Sequence, residues 1–478
     1  MVWPLEFTVV PSISPSAAAM ERFVANAPGL RQPRISVAVP GLPTLPDLKK
    51  LARDRRAAGL PVIDQSAGDI DDVGQPLNAD LGEWIEQTRD RLVAEGSSEL
   101  RRVSGGAYGY PGNYQQQYPA VLNILAQSWG IQGRTLAVHT VSGRAALDCA
   151  FRGMIAAAKA KKLPAPYAIV LDPLAWSGYQ PLAADLDLDL IHMPAVPGHG
   201  LAGSQEGLSA ALAFAAEVGK TVVGVVPVVP SNPSGIGLSA DELVLMAETA
   251  AAAQVPMLVD AFYSPLDPRG HAACVPMAEL EARLAPEVLG YVGILVGETK
   301  VSSSQNKTAS LIWCAPAGHD GPGKTVIHHA GERLKTTNLY PRPQEALVAA
   351  ALHTFPGGLH AAMGPRYLAL RDARDAMRAV CDRLGIPLSI GGSFYGTAAL
   401  VDPSGRSLLK DDYGQPLTDA KAVISALVAR YGLVGAPGGM FSPAPEATLL
   451  VRLTAAVTLA DVERVGTILE QLLEQARG

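Results

Sequence analysis

The 478-residue chain predicts an α/β protein: a three-layer sandwich with a mostly parallel sheet, plus a smaller α+β domain. Two patterns carry this expectation. From about Leu136, short apolar runs at 167–171, 188–193, 221–229, 256–260, 291–296 and 310–314 alternate with longer amphipathic stretches. Runs that are apolar throughout suit strands buried on both faces, and strands alternating with helices build parallel sheets. After Pro341-Arg342-Pro343 the order changes to one long helical stretch at 367–384 and then β-like segments at 388–401 and 448–453, which reads as an α+β unit.

The first hundred residues are rich in proline and short turns, with one helical stretch at 80–95 that stops near Gly96-Ser97-Ser98. In Thr140-Val141-Ser142-Gly143-Arg144-Ala145-Ala146-Leu147 a small-residue turn opens a helix running to about Lys159. Ser239 with Glu242 and Thr458 with Asp461 have capping-box spacing. The second pair precedes Leu459, Val462, Val465, Leu469 and Leu472, the apolar stripe of a terminal helix. These signals divide the chain into an N-terminal arm with part of the small domain (1–115), a large domain (116–345) and a C-terminal small domain (346–478). There is no internal repeat of the 20 to 50 residues that solenoids require.

A net charge of −6 without a basic run argues against nucleic acid or an anionic membrane as partner, and leaves a small molecule as the expected ligand. Cys149, Cys274, Cys314 and Cys381 are too scattered for a metal site or a disulfide framework. Residues 1–12 lack a basic head and a sustained apolar stretch, and no run approaches the ~20 apolar residues that span a bilayer, so the expected location is the cytoplasm.

The chemistry is expected at the ends of the strands. Lys300, in Gly297-Glu298-Thr299-Lys300-Val301-Ser302-Ser303-Ser304, follows an apolar run and is placed to form an imine with an aldehyde cofactor. The helix opening at Ser142 presents free N–H groups and a dipole that suit a phosphate, although Ser142 equally suits a plain N-cap. Trp176, after Asp172-Pro173-Leu174-Ala175, offers a flat face to a ring or a body for the core. Asp260 closes an apolar run where parallel sheets place their ligands, so its carboxylate should meet a positive partner such as a protonated pyridine nitrogen. Asn232, in the turn Ser231-Asn232-Pro233-Ser234-Gly235, and Tyr263 would share the ring hydroxyl.

Together these residues resemble the fold type I pyridoxal-phosphate enzymes, and within them the aminotransferase class I/II family, over a region from about Gly68 to Arg452. The resemblance implies pyridoxal 5'-phosphate as cofactor, held by a phosphate turn at Ser142, Gly143 and Arg144, by Trp176 against the ring, by Asn232 and Tyr263 at the ring oxygen, by Asp260 at the pyridine nitrogen and by Lys300 as imine lysine and general base. It further implies Arg452 on the substrate α-carboxylate, Gly68 beside the substrate, and Tyr108 or Tyr110 sent into the phosphate site of a second subunit, hence a homodimer. The reaction so implied takes place at the α-carbon of an amino acid, with transamination expected first. γ-Elimination, replacement or C–C bond formation on S-adenosylmethionine or a similar amino acid is the runner-up, and a further relative class oxidises amino acids with molecular oxygen.

The chain departs from that family after the lysine. Relatives carry Gly-x-Arg-x-Gly, whereas here Gln305-Asn306-Lys307-Thr308-Ala309-Ser310 puts Thr308 at the position of the phosphate-contacting arginine. Lys307, or a serine among Ser302, Ser303 and Ser304, is the expected substitute, and Lys307 is also a rival imine former. A reading of another class comes from Gly318-His319-Asp320-Gly321-Pro322-Gly323-Lys324-Thr325, which satisfies the nucleotide phosphate-loop pattern although Pro322 removes an N–H donor from it.

Overall fold

The computed structural model describes residues 14–36, 45–66, 73–97, 100, 118–302, 307–319, 321–337, 339–402, 404–411 and 413–477. Their strands, in chain order, are β1 (Arg34–Ile35), β2 (Ile63–Asp64), β3 (Thr135–Thr140), β4 (Tyr167–Leu171), β5 (Leu188–His192), β6 (Thr221–Val226) and β7 (Met257–Asp260). There follow β8 (Val292–Gly297), β9 (Ala309–Cys314), β10 (Leu388–Ile390), β11 (Tyr395–Ala399), β12 (Leu433–Val434), β13 (Ala436–Pro437) and β14 (Leu450–Thr454). Eight of them form one sheet in the order β1-β5-β4-β6-β7-β8-β9-β3. The five at its centre, β5 to β8, are mutually parallel; β9 runs against both β8 and β3, so β3 points with the parallel set.

Side chains alternate across this sheet and divide between two cores. Ala168, Val170, Ile294 and Val296 face one core with the Ala240–Ala252 helix, while Ile169, Leu171 and Leu295 face the other with the Gly143–Ala160 and Gly323–Thr337 helices. Both faces being covered is why the runs read as continuously apolar. The sandwich and the mostly parallel sheet are thus as the sequence predicts.

A second sheet, β10-β11-β14-β13, and the Pro365–Leu384 and Leu459–Arg477 helices enclose a separate core. The 231–235 turn joins the two sheets. Gly235 takes φ +73°, and its backbone lies so close to Tyr395 that a Cβ would come within 2.2 Å of the Tyr395 carbonyl oxygen. Thr397 Oγ1 donates to the Pro233 carbonyl at 3.0 Å and Ser389 Oγ to that of Ser234 at 3.0 Å.

Both predicted caps form, with differences. Ser239 Oγ accepts from Glu242 N at 3.1 Å, but the Glu242 carboxylate accepts from Gln205 N and so caps the neighbouring Gln205–Glu217 helix instead of closing a reciprocal box. Thr458 Oγ1 accepts from Asp461 N at 3.2 Å. Val462, Val465, Leu469 and Leu472 are buried as expected, whereas Leu459 at the helix start is 51% exposed. All four cysteines are buried and free, and burial pushes the thiols of Cys149, Cys314 and Cys381 up to about 12. Among the described residues no helix is long and apolar enough to cross a membrane.

Candidate active site

The carboxyl ends of β4, β6, β7 and β8 converge, and the residues just beyond them carry the polar groups. Parallel strands end on one edge with backbone groups aimed outward, which is where such sheets bind ligands. Asp260, the last residue of β7, is 6% exposed. Its Oδ2 accepts from the Tyr179 hydroxyl at 2.5 Å and its Oδ1 from Phe262 N at 3.3 Å. Burial raises its carboxyl to about 6, against the pull of those two donors. Asp172, just after β4, is buried as well; burial raises it to about 8, offset in part by Val228 N donating at 2.9 Å, with the Asp260 charge adding to the rise.

Lys300 stands one turn beyond β8, in the short Thr299–Ser302 helix. Its Nζ lies 5.6 Å from the centre of the Tyr263 ring and 5.7 Å from that of Phe394. Asn232 links the next two residues: its Nδ2 donates to the Tyr263 hydroxyl at 3.0 Å, and its Oδ1 accepts from Arg452 Nη1 at 3.1 Å. Arg452 is 5% exposed. Its guanidinium sits 4.0 Å from the Tyr395 ring centre, Nη2 donates to the Ser66 carbonyl at 2.6 Å, and Nε has no hydrogen-bond partner among the described residues. A surface ion pair is therefore not its role.

At the other end of the site Ser142 caps the Gly143–Ala160 helix, its Oγ accepting from Ala145 N at 3.2 Å. Arg144 is exposed on the first turn with its guanidinium 5.5 Å from the Trp176 ring centre. Trp176 is half-buried and meets Tyr179 edge-on at 5.6 Å. Gly143 and Gly297 flank the Phe262 ring, where a Cβ on either would come within 2.4 Å of it. Thus Lys300, Asp260, Tyr263, Asn232, Arg452, Trp176 and the Ser142 turn border one another through shared partners.

The segment after the lysine differs from expectation. Ser302 Oγ is turned inward onto the Glu298 carbonyl at 3.1 Å, so it does not face a ligand. Thr308 is fully buried and donates to Glu298 Oε2 at 2.8 Å. Lys307 is exposed, whereas Lys300 is half-buried against aromatic rings. Ser303 and Ser304 lie outside the described residues, as do Gly68, Tyr108 and Tyr110.

The 318–325 stretch does not fit a phosphate loop. Gly318, His319 and Gly321 line a cavity of about 540 Å³ shared with Gln254, Tyr291, Glu248 and Glu287. Gln254 and Tyr291 precede β7 and β8, so the cavity lies at the opposite end of the strands from Lys300, and its two carboxylates oppose an anion. The loop backbone is packed rather than open, since a Cβ on Gly321 would come 2.3 Å from the Gly290 carbonyl oxygen.

Tyr179, Asp172, Phe394 and Tyr395 are site residues that the sequence reading missed. Tyr179 had a signal, lying three residues after Trp176 and so one turn from it. Phe394 and Tyr395 come from the small sheet, and nothing local points them at Lys300.

The sequence profile of aminotransferase class I and II matches residues 112–469. This chain belongs to that family. Its members are pyridoxal-phosphate-dependent transferases, and this class I/II aminotransferase has their architecture. An aminotransferase from Mycobacterium tuberculosis superposes with a TM-score of 0.63 at 19% identity, over 91% of this chain and 99% of that one. The aspartate aminotransferase of Rhizobium meliloti gives 0.67 at 15% identity, over 92% and 97%. That of Thermus thermophilus, solved with maleate, gives 0.62 at 18%, over 95% and 98%. No curated protein sequence matches the chain.

Proposed function

We propose that the protein transfers the amino group of an amino acid, using pyridoxal 5'-phosphate anchored on Lys300. The observation that carries this reading is the joint position of Lys300 and Asp260 at the ends of adjacent parallel strands, with Arg452 tied to the same cluster through Asn232. The donor set fits that cofactor. A buried carboxylate suits a ring cation, a phenol paired with an amide suits a ring oxygen, an amine suits an aldehyde, and a helix N-terminus with Arg144 beside it suits a phosphate. Arg144 supplies positive charge at the phosphate end, where Thr308 has replaced the expected arginine.

Bound there, the cofactor supplies an electron sink for the bond broken at the substrate α-carbon. The protein does the rest. Asp260, buried and fixed by Tyr179, would hold a ring cation, and Tyr263 with Asn232 would hold a ring oxygen. Lys300 would hold the cofactor aldehyde, and its Nζ would serve as the base that takes and returns the substrate α-proton. Arg452 grips the α-carboxylate with a planar fork held between Tyr395 and Phe441.

The test is a visible spectrum before and after borohydride, followed by peptide mapping of the reduced adduct. A label on Lys300 and keto-acid formation with an amino acceptor are expected. A label on another lysine, or protein that binds no cofactor, overturns the reading.

Arg452→Lys separates binding from chemistry. An ammonium keeps the charge but loses the fork that bonds Asn232 and Ser66, so KM for the amino acid is expected to rise by about 100-fold with a smaller change in kcat. Steady-state kinetics over a range of amino acid concentrations checks it.

A further inference from the structure

Glu298 is fully buried two residues before Lys300, and its side chain joins three parts of the structure. Its Oε2 accepts from Thr308 Oγ1 at 2.8 Å, at the far end of the 299–308 segment. Its Oε1 lies 3.6 Å from Nε2 of His353 on the Pro343–Thr354 helix. Its carbonyl accepts from Val301 N at 2.9 Å, from Ser302 N at 2.9 Å and from Ser302 Oγ at 3.1 Å, and so starts the helical turn that carries Lys300. One residue therefore bonds both the turn that carries Lys300 and Thr308 just before β9.

The Glu298–His353 contact is of ion-pair length, longer than a hydrogen bond, and Oε1 has no hydrogen-bond partner among the described residues. His353 Nδ1 is 2.8 Å from Ser128 Oγ, and that hydroxyl is also 2.8 Å from the Leu125 carbonyl. If the hydroxyl proton goes to Leu125, Nδ1 is the donor to Ser128 and Nε2 turns its lone pair toward Oε1. If the hydroxyl proton goes to Nδ1, the ring proton sits on Nε2 and points at Oε1. The second arrangement aims an N–H at Oε1 across the 3.6 Å gap.

Burial pushes two neighbouring histidines toward the neutral form. Burial lowers His139 to about 4, against the opposing Glu298 charge, and its Nδ1 is 2.6 Å from Ser310 Oγ. Burial and the neighbouring His353 lower His271 to about 3, with its Nε2 donating to the Ser128 carbonyl at 2.8 Å. Ser128, Ser310 and Thr308 bring hydroxyls to the cluster.

We propose that Glu298 and His353 form a buried polar pair that positions Lys300, tying the Thr299–Ser302 turn and Thr308 to the Pro343–Thr354 helix. Both are positioning residues, since neither touches the reacting atoms. The inference rests on Lys300 being the reactive lysine. It concerns how this chain holds that lysine where the family's usual arginine has become Thr308.

The test compares Glu298→Leu, Glu298→Gln, His353→Phe and His353→Gln in the full-length protein. An amide at 298 still accepts from Thr308 and can donate to a neutral His353, so Glu298→Gln is expected to keep kcat within about threefold of the parent. Glu298→Leu and His353→Phe are expected to lower kcat by about 10- to 100-fold with KM little changed, as displacement of a catalytic group does. His353→Gln is expected to fall between the two, and the Leu/Phe double variant to be no worse than Glu298→Leu alone, because both changes break one link. A readout independent of turnover is hydrogen exchange in the 297–310 peptides of cofactor-free protein, expected to quicken in Glu298→Leu and not in Glu298→Gln.

Unchanged exchange and kcat in Glu298→Leu overturn the inference, as does a Glu298→Gln variant as impaired as Glu298→Leu. Should Glu298→Leu fail to fold, the two amide variants decide, since a loss beyond about tenfold in Glu298→Gln is enough to reject the pair. Absence of a borohydride label on Lys300 in the parent protein would instead reject the reading of the site, and the exchange experiment would still report on the pair.

Discussion

Lys300→Ala is expected to abolish turnover, lowering kcat by at least about 10⁴-fold, the upper range for loss of a positioned proton-transfer group. Two functions vanish together, the covalent anchor and the base. The neighbourhood should survive, because Tyr263, Phe394 and Tyr395 pack on one another whether or not an ammonium lies beside them. The variant should therefore fold, bind cofactor weakly and reversibly, and release it on gel filtration, with no borohydride adduct at any position. Lys307, exposed to solvent, is expected not to substitute. Measuring kcat, retained cofactor and the melting temperature together separates lost chemistry from lost structure.

Asp260→Asn is expected to cut kcat/KM by about 10²- to 10⁴-fold, as the ~3–5 kcal/mol lost when one partner of a buried ion pair is removed implies. The same change should stabilise the cofactor-free protein. Burial raises this carboxyl to about 6 in the fold, above the ~3.9 of an unfolded chain. Between those values the folded state binds more protons than the unfolded one, so this group's contribution to stability is fullest below pH ~4, falls as pH rises through 6, and is level above. An asparagine has no such dependence. The advantage of Asp260→Asn should accordingly be larger by about 1 kcal/mol at pH 8 than at pH 5, which paired urea titrations of the cofactor-free proteins can read. Bound cofactor should reverse the order, because the parent then has a cation to face.

What the sequence disclosed and what it withheld follow from the range of the interactions. The apolar runs at 167–171 and 310–314 coincide with β4 and, within a residue, with β9, because strands buried on both faces leave an unbroken signal. Asp260, Lys300 and Asn232 were legible because each ends or follows such a run, and parallel sheets put chemistry there. Thr308 was recognisable as a departure, but not as the partner of Glu298. Glu298 reads locally as an ordinary charged residue beside a strand; its meaning depends on His353, 55 positions away and brought near by packing of another helix. Tyr395, which stacks on Arg452, and Phe394, near Lys300, are likewise contributed by a different sheet. Gly68, Tyr108 and Tyr110 lie outside the described residues, so the substrate-side glycine and the subunit-crossing tyrosine stay as sequence expectations.

The enclosed cysteines give the molecule a built-in reporter of its own opening. A thiol reacts as its anion, and three of these four are held near 12 and away from solvent, so an alkylating reagent at pH 8 should leave the folded enzyme almost untouched. Each molecule that unfolds presents sites at once, and their places differ: Cys149 and Cys314 lie around the large sheet, Cys381 in the core of the small one. Mass spectrometry of reagent uptake with time would show which half loosens first, without adding any foreign label to the chain.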